Sequence, residues 1–270
     1  MNFQRVLTVA HKDLVEVVRN KQAMFPMLVI PVGLAVMIPF GIIVMGSDPT
    51  MPTSAFGLSG LIDQLPKGIL PPDLSESQKM VYAFTVYFMA PVFLLIPSMS
   101  ATVIGSSSFV GEKERRTIEG LLYTPVTDRE LVLAKIIASL VPAIVITWGS
   151  FGAYVFIVDT FASPVIGEHY FPTANWYALM FLVVPLLAFL TVALIVAVSG
   201  RATSSQGAQG VSFLVVMPMI LLTMGQTTGI MLFSTTVALV FAAVLVVVDV
   251  VVFYAVAGIF NRERILTKLL

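Results

Sequence analysis

Asp249 is the residue of this chain best equipped to do chemistry. It stands alone in the run Val246-Val-Val-Asp-Val-Val-Val-Phe-Tyr254, a carboxylate among uncharged side chains. Placing a carboxylate in a membrane helix costs roughly 2.5–3.5 kcal/mol on insertion scales, so by default it faces protein or water and marks a pathway or a proton or ion site. The plainer alternative is a protonated or hydrogen-bonded aspartate that packs a helix interface, and no basic residue lies within an apolar run to pair with it. Covalent catalysis has little to work with. The absence of cysteine excludes disulfides, thiol nucleophiles and Cys-ligated metals. Two histidines, His11 and His169, are the only imidazoles. No Gly-x-x-x-x-Gly-Lys-Ser/Thr phosphate loop occurs, so ATP is not bound by that route. An active site needs a nucleophile, a metal set or an acid/base pair, and the sequence offers none.

The elements that must position Asp249 are membrane spans. Of the 270 residues, 58% are hydrophobic and 11% charged, against about 25% charged in soluble domains. The apolar residues fall into long uncharged runs, each near the roughly 20 helical residues that cross a bilayer. Six spans are expected, at 23–45, 81–106, 136–158, 176–199, 211–224 and 231–260. The fifth is short, and the polar stretch Gly225-Gln-Thr-Thr-Gly229 separates it from the sixth or dips into the membrane. The first run is too long for a signal-peptide core and reads as a true span. Pro31, Pro39, Pro91, Pro97, Pro142, Pro185 and Pro218 fall inside spans. Each is expected to kink its helix, with neighbours satisfying the freed backbone groups. Trp176 and Tyr177 read as interfacial anchors at the start of the fourth span.

Orientation follows from Lys and Arg, which concentrate on the cytoplasmic side. Thirteen of the 15 lie before the first span, after the second, after the fourth and at the C-terminus; only Lys67 and Lys79 lie on the other side. Both termini are therefore expected in the cytoplasm. His11 and His169 then face opposite sides and cannot share a metal. The zero net charge gives no reason to expect a nucleic-acid partner. Within 1–22, Phe3, Val6, Leu7, Ala10, Leu14, Val17 and Val18 recur at three- and four-residue steps, with Arg5, Lys12, Asp13, Glu16 and Arg19 largely on the other side. This predicts an amphipathic helix lying flat in the cytoplasmic interface, in contact with membrane lipid.

The most charged segment lies between the second and third spans. It holds Glu112, Glu114, Arg115, Arg116, Thr117 and Glu119, with Ile118, Leu121 and Leu122 adding an apolar edge. Glu112–Arg116 and Arg115–Glu119 are i,i+4 pairs that support a helix, and Pro125 stops it. A short charged helix with an exposed apolar edge is a plausible docking knob for a soluble partner; a solvated loop serving only the positive-inside rule is the alternative.

Residues 111–135 resemble the type-2 ABC transporter permeases. That family carries, between spans two and three, a Glu-rich charged helix, a Leu-Leu, a Thr/Ser-Pro-Val turn and a lysine entering the next span. Glu112, Glu114, Thr117, Leu121, Leu122, Thr124, Pro125, Val126 and Lys135 match this pattern, whereas Arg116 and Ala134 stand where the family often has glycine. The resemblance implies an all-α membrane protein of the type-2 ABC exporter fold: a single permease domain over 1–270, with six transmembrane helices preceded by an amphipathic elbow helix. It implies that residues 111–124 form a cytoplasmic coupling helix, with Glu112, Glu114, Arg115, Arg116, Thr117, Glu119, Leu121 and Leu122 seated on a separate ABC ATPase subunit. Two permease and two ATPase chains would assemble, with ATP and Mg on the partner and no cofactor on this chain. The protein would export a substrate across a plasma (inner) membrane, and the apolar spans favour a small amphipathic or hydrophobic one. The alternative is an ion- or proton-coupled secondary transporter or channel using Asp249.

Overall fold

The computed structural model describes residues 2–47, 74–111, 127–167, 169–199, 204–210, 212–227 and 232–259. Among these residues there are helices and no strand. A leading helix, α1 (Phe3–Arg19), precedes six helices long and apolar enough to cross a bilayer. They are α2 (Met27–Gly46), α3 (Glu76–Phe109), α4 (Glu130–Ile166), α5 (Ala174–Ser199), α6 (Ser205–Gln226) and α7 (Thr235–Ala255). Six spans are what the hydropathy pattern predicts. Several helices outrun their apolar segments: α4 continues past Asp159 to Ile166, where the sequence suggested a loop. Its start is fixed by a capping box, in which Thr127 and Glu130 satisfy each other's backbone N–H groups. The 57–70 segment, read as a short surface helix, lies outside the described residues. Gly225, Gln226 and Thr227 continue the helix of α6, so this much of the polar stretch is helical, and Thr228 and Gly229 lie outside the described residues.

In lipid every backbone polar group must be satisfied within the protein, and the prolines show how. Among the described residues, four π-helical turns interrupt the spans, at Gly33–Met37, Phe84–Phe88, Val158–Ala162 and Leu179–Val183. Each ends two or three residues before a proline: Pro39, Pro91, Pro164 and Pro185. Proline has no N–H to give the carbonyl four residues back, and its ring clashes with that carbonyl. Widening the preceding turn relieves the clash. Pro142 and Pro218 instead sit inside continuous α-helix.

The turn before Pro91 is where four spans are tied together. Tyr154 Oη donates to the Thr85 carbonyl at 2.8 Å, Trp176 Nε1 to Val86 at 3.0 Å, and Gln226 Nε2 to Tyr87 at 3.0 Å. Side chains from α4, α5 and α6 thus satisfy three successive carbonyls of α3. Trp176 is fully buried, stacked 4.9 Å from Tyr154 and ringed by Phe93, Phe151 and Phe171 at 5.2–5.6 Å. This corrects its reading as an interfacial anchor: the indole is the centre of the core at this end. Tyr177 is half exposed.

α3 is buried along most of its length, while α2, α6 and α7 bury only a stripe. Its second half is rich in small residues, with Ser98, Ser100, Ala101, Thr102, Gly105, Ser106 and Ser108 all buried or tightly packed. Such residues let helices approach closely in a membrane. A Cβ at Gly105 would come within 3.1 Å of Ile195 on α5. Hydroxyls within the spans mostly donate to the carbonyl four residues back, as at Ser98, Thr102, Ser139, Thr147 and Thr191, so few need a partner elsewhere.

Candidate functional site

The eight residues expected to bind a partner, Glu112, Glu114, Arg115, Arg116, Thr117, Glu119, Leu121 and Leu122, lie outside the described residues. The structure describes what holds the segment on either side. α3 delivers Ser108 and Phe109 to its start, and α4 receives the chain at Thr127. Lys135, two turns into α4, reaches back across this gap. Its ammonium donates to the Ser108 carbonyl at 2.5 Å and lies 3.4 Å from Asp13 Oδ2. Ser108 Oγ donates to the same Asp13 oxygen at 2.6 Å. Lys12 Nζ stands 3.3 Å from the other carboxylate oxygen, and the Lys135 ammonium lies 5.7 Å from the centre of the Phe109 ring. Asp13, Ser108 and Lys135 are all at least 95% buried.

A second tie lies beside the first. One oxygen of Glu130 completes the capping box with the Thr127 N–H at 3.0 Å, and the other accepts the Asn2 N–H at 2.5 Å. Between the two ties, Val6 and Ala10 of α1 pack on Ala134 and Ala138 of α4. α1 therefore lies across both flanks of the charged segment, fastened at its start by Asn2 and past its middle by Asp13. Gln209 Nε2, from the first turns of α6, adds a bond to Ser106 Oγ at 3.3 Å.

Sequence reasoning placed Asp13 with the polar face of α1; the structure puts it on the buried stripe. The signal was present, because Val6, Ala10, Asp13 and Val17 are spaced four, three and four, the interval of a single helix face. Lys135 was read as a boundary cation and as the lysine entering the third span in the family pattern, with no partner assigned. A lysine at the mouth of an apolar run, with an aspartate on the apolar stripe of the leading helix, was the pattern that identified the pair.

Asp249 lies on the inward stripe of α7 and is 5% exposed. Neither carboxylate oxygen hydrogen bonds to any described residue. With Leu186 and Phe189 of α5 and Val246, Val250, Phe253 and Tyr254 of α7 it lines a recess of about 320 Å³. No charged side chain among the described residues forms an ion pair with it. His169 pairs with Asp159 at 2.5 Å on the exposed surface, and His11 is carried on α1. Among the described residues no group of three or more acidic or imidazole side chains converges as a metal site.

The described residues thus hold two polar features: a buried Asp13–Ser108–Lys135 cluster beside residues 112–126, and a lone carboxylate, Asp249, in an apolar recess. A search of curated proteins returned no match. The family model for the ABC-2 family transporter protein matches residues 7–265. Matched over nearly its whole length and built of six membrane-spanning helices, the chain belongs to the ABC-2 transporter family, the membrane-embedded permease components of ABC transporters.

Proposed function

We propose that this permease exports its substrate with ATP hydrolysed by a separate subunit. Two permease chains and two ATPase chains form the working transporter, and the partner holds ATP and Mg²⁺. Residues 112–122 seat on the ATPase, with Glu112, Glu114, Arg115, Arg116 and Glu119 supplying charge and Leu121 and Leu122 the apolar edge. The observation that carries this reading is the buried Asp13–Ser108–Lys135 cluster. A segment that relays force needs a base that does not yield, and charge-assisted hydrogen bonds are the strong ones. Because the cluster joins α1, α3 and α4, a push on the segment moves the three helices together. Both termini lie in the cytoplasm of a plasma-membrane protein on this reading, as the distribution of 13 of 15 Lys and Arg supports. The exposed Phe3, Leu7 and Val18 of α1 face the membrane interface, as an elbow helix would. In reconstituted transporter, Glu114→Lys is expected to abolish permease-dependent stimulation of ATP hydrolysis while the protein still assembles in the membrane. Unchanged stimulation would count heavily against the reading.

One observation favours a second reading. A buried carboxylate without a partner among the described residues suits proton- or ion-coupled transport through Asp249. That reading requires gradient-driven flux without ATP, abolished by Asp249→Asn. It lacks a relay: among the described residues lining the recess, Tyr254 is the only other titratable side chain.

A further inference from the structure

We propose that the recess between α5 and α7 binds a monovalent organic cation with an apolar body. Buried polar groups in native proteins have hydrogen-bond partners, and neither oxygen of Asp249 meets one among the described residues. The group that completes it must therefore bring positive charge or donors. A divalent metal does not fit, because such ions take several oxygen or nitrogen ligands and this lining offers one carboxylate and one phenol. An anion is repelled by the same carboxylate. The rest of the lining selects for a lipophilic cation. Phe189, Phe253 and Tyr254 present aromatic surface, whose faces attract ammonium and phosphonium groups. Leu186, Val246 and Val250 cover an apolar body. The volume, about 320 Å³, lies at the lower end of the range for small-molecule sites, about 300–1,000 Å³.

Access is lateral. Val246, Val250, Phe253 and Tyr254, which line the recess beside Asp249, are 46–71% exposed, in a segment apolar enough to sit in lipid. A compound already partitioned into the bilayer reaches the recess without crossing water. That this cation is also the transported substrate rests on the exporter reading; binding itself does not, and no ATPase is needed to measure it.

The test is equilibrium binding of radiolabelled tetraphenylphosphonium to the purified full chain in lipid nanodiscs. The wild type is expected to bind saturably at one site per chain. Asp249→Asn should weaken binding at least ~10-fold through loss of the carboxylate's attraction for the cation, while Asp249→Glu retains it. Tetraphenylborate, of the same shape and opposite charge, should not compete. Size-exclusion profile and thermal unfolding of each variant establish that the fold is intact. If Asp249→Asn does not fold, Phe253→Ala and Phe189→Ala, which leave the charge in place, should each weaken binding. Absence of saturable binding to the wild type would overturn the proposal and leave Asp249 a protonated packing residue. Equal binding by Asp249→Asn, or competition by tetraphenylborate, would overturn it as well. A transporter that binds the probe but shows no ATP-driven flux of it keeps the site and removes its role as substrate site.

Discussion

Lys135 and Asp13 stand 122 residues apart in the chain and pair in a site where both are at least 95% buried. Two charges taken out of water contribute little net stability as a pair, but removing one leaves the other less well compensated, at a cost of up to about 3–5 kcal/mol. Asp13 keeps Lys12 at 3.3 Å and Lys135 keeps the Ser108 carbonyl, so Lys135→Met or Asp13→Leu alone is expected to lower stability by less than that limit. The double variant should lose clearly less than the sum, since both charges go together. Thermal unfolding in detergent, read by fluorescence-detected size exclusion, checks this; strictly additive losses would dissolve the pair. Glu130 gives a milder case. Glu130→Ala removes the capping box of α4 and the anchor of Asn2, with an expected loss of about 0.5–2 kcal/mol and faster proteolysis near the N-terminus. These partners were not read from the sequence because their one local mark is the register of Asp13 with Val6, Ala10 and Val17. Asp13 is a charged residue in a charged helix, and only the register of its neighbours shows that it faces inward. Asp249 was legible for the opposite reason: a carboxylate in a valine run is conspicuous at any register.

At the scale of the helix, the apolar runs predicted the spans well, because a backbone in lipid has few options besides a helix about 20 residues long. Helix ends were less legible. The amphipathic turns that extend α3 back to Glu76 and α4 on to Ile166 carry no hydropathy signal. The π turns were anticipated only as kinks at proline. Their consequence, a set of α3 carbonyls offered to Tyr154, Trp176 and Gln226, depends on helices meeting in space. Trp176 was misread for the same reason: tryptophan at a span's start is usually an anchor, and only the packing shows it enclosed by Phe93, Phe151 and Tyr154. Trp176→Ala is expected to cost about 3–5 kcal/mol by opening a cavity. Trp176→Phe, which keeps a ring but leaves the Val86 carbonyl without its 3.0 Å donor, should cost about 1–3 kcal/mol. Melting temperatures of the two variants, ranked Ala below Phe below wild type, check the assignment; a surface anchor would leave all three nearly equal.

At the scale of the molecule, the architecture separates tasks. The core is concentrated around α3, and the end of α3 beside the charged segment is fastened to α1 and α4. The outer helices α2, α6 and α7 expose apolar flanks to whatever surrounds the bundle, lipid or a second copy of the chain. On the proposed reading, this ABC-2 permease receives the work of ATP hydrolysis from a separate subunit through residues 112–122. The most direct test is to tag the chain, extract it in mild detergent and identify what co-purifies. The account predicts a soluble ATPase in a one-to-one ratio with the permease, lost when Glu114 and Leu121 are replaced by lysine and aspartate while the permease itself stays monodisperse. A permease that purifies without an ATPase, or one that keeps it in that variant, would contradict the account.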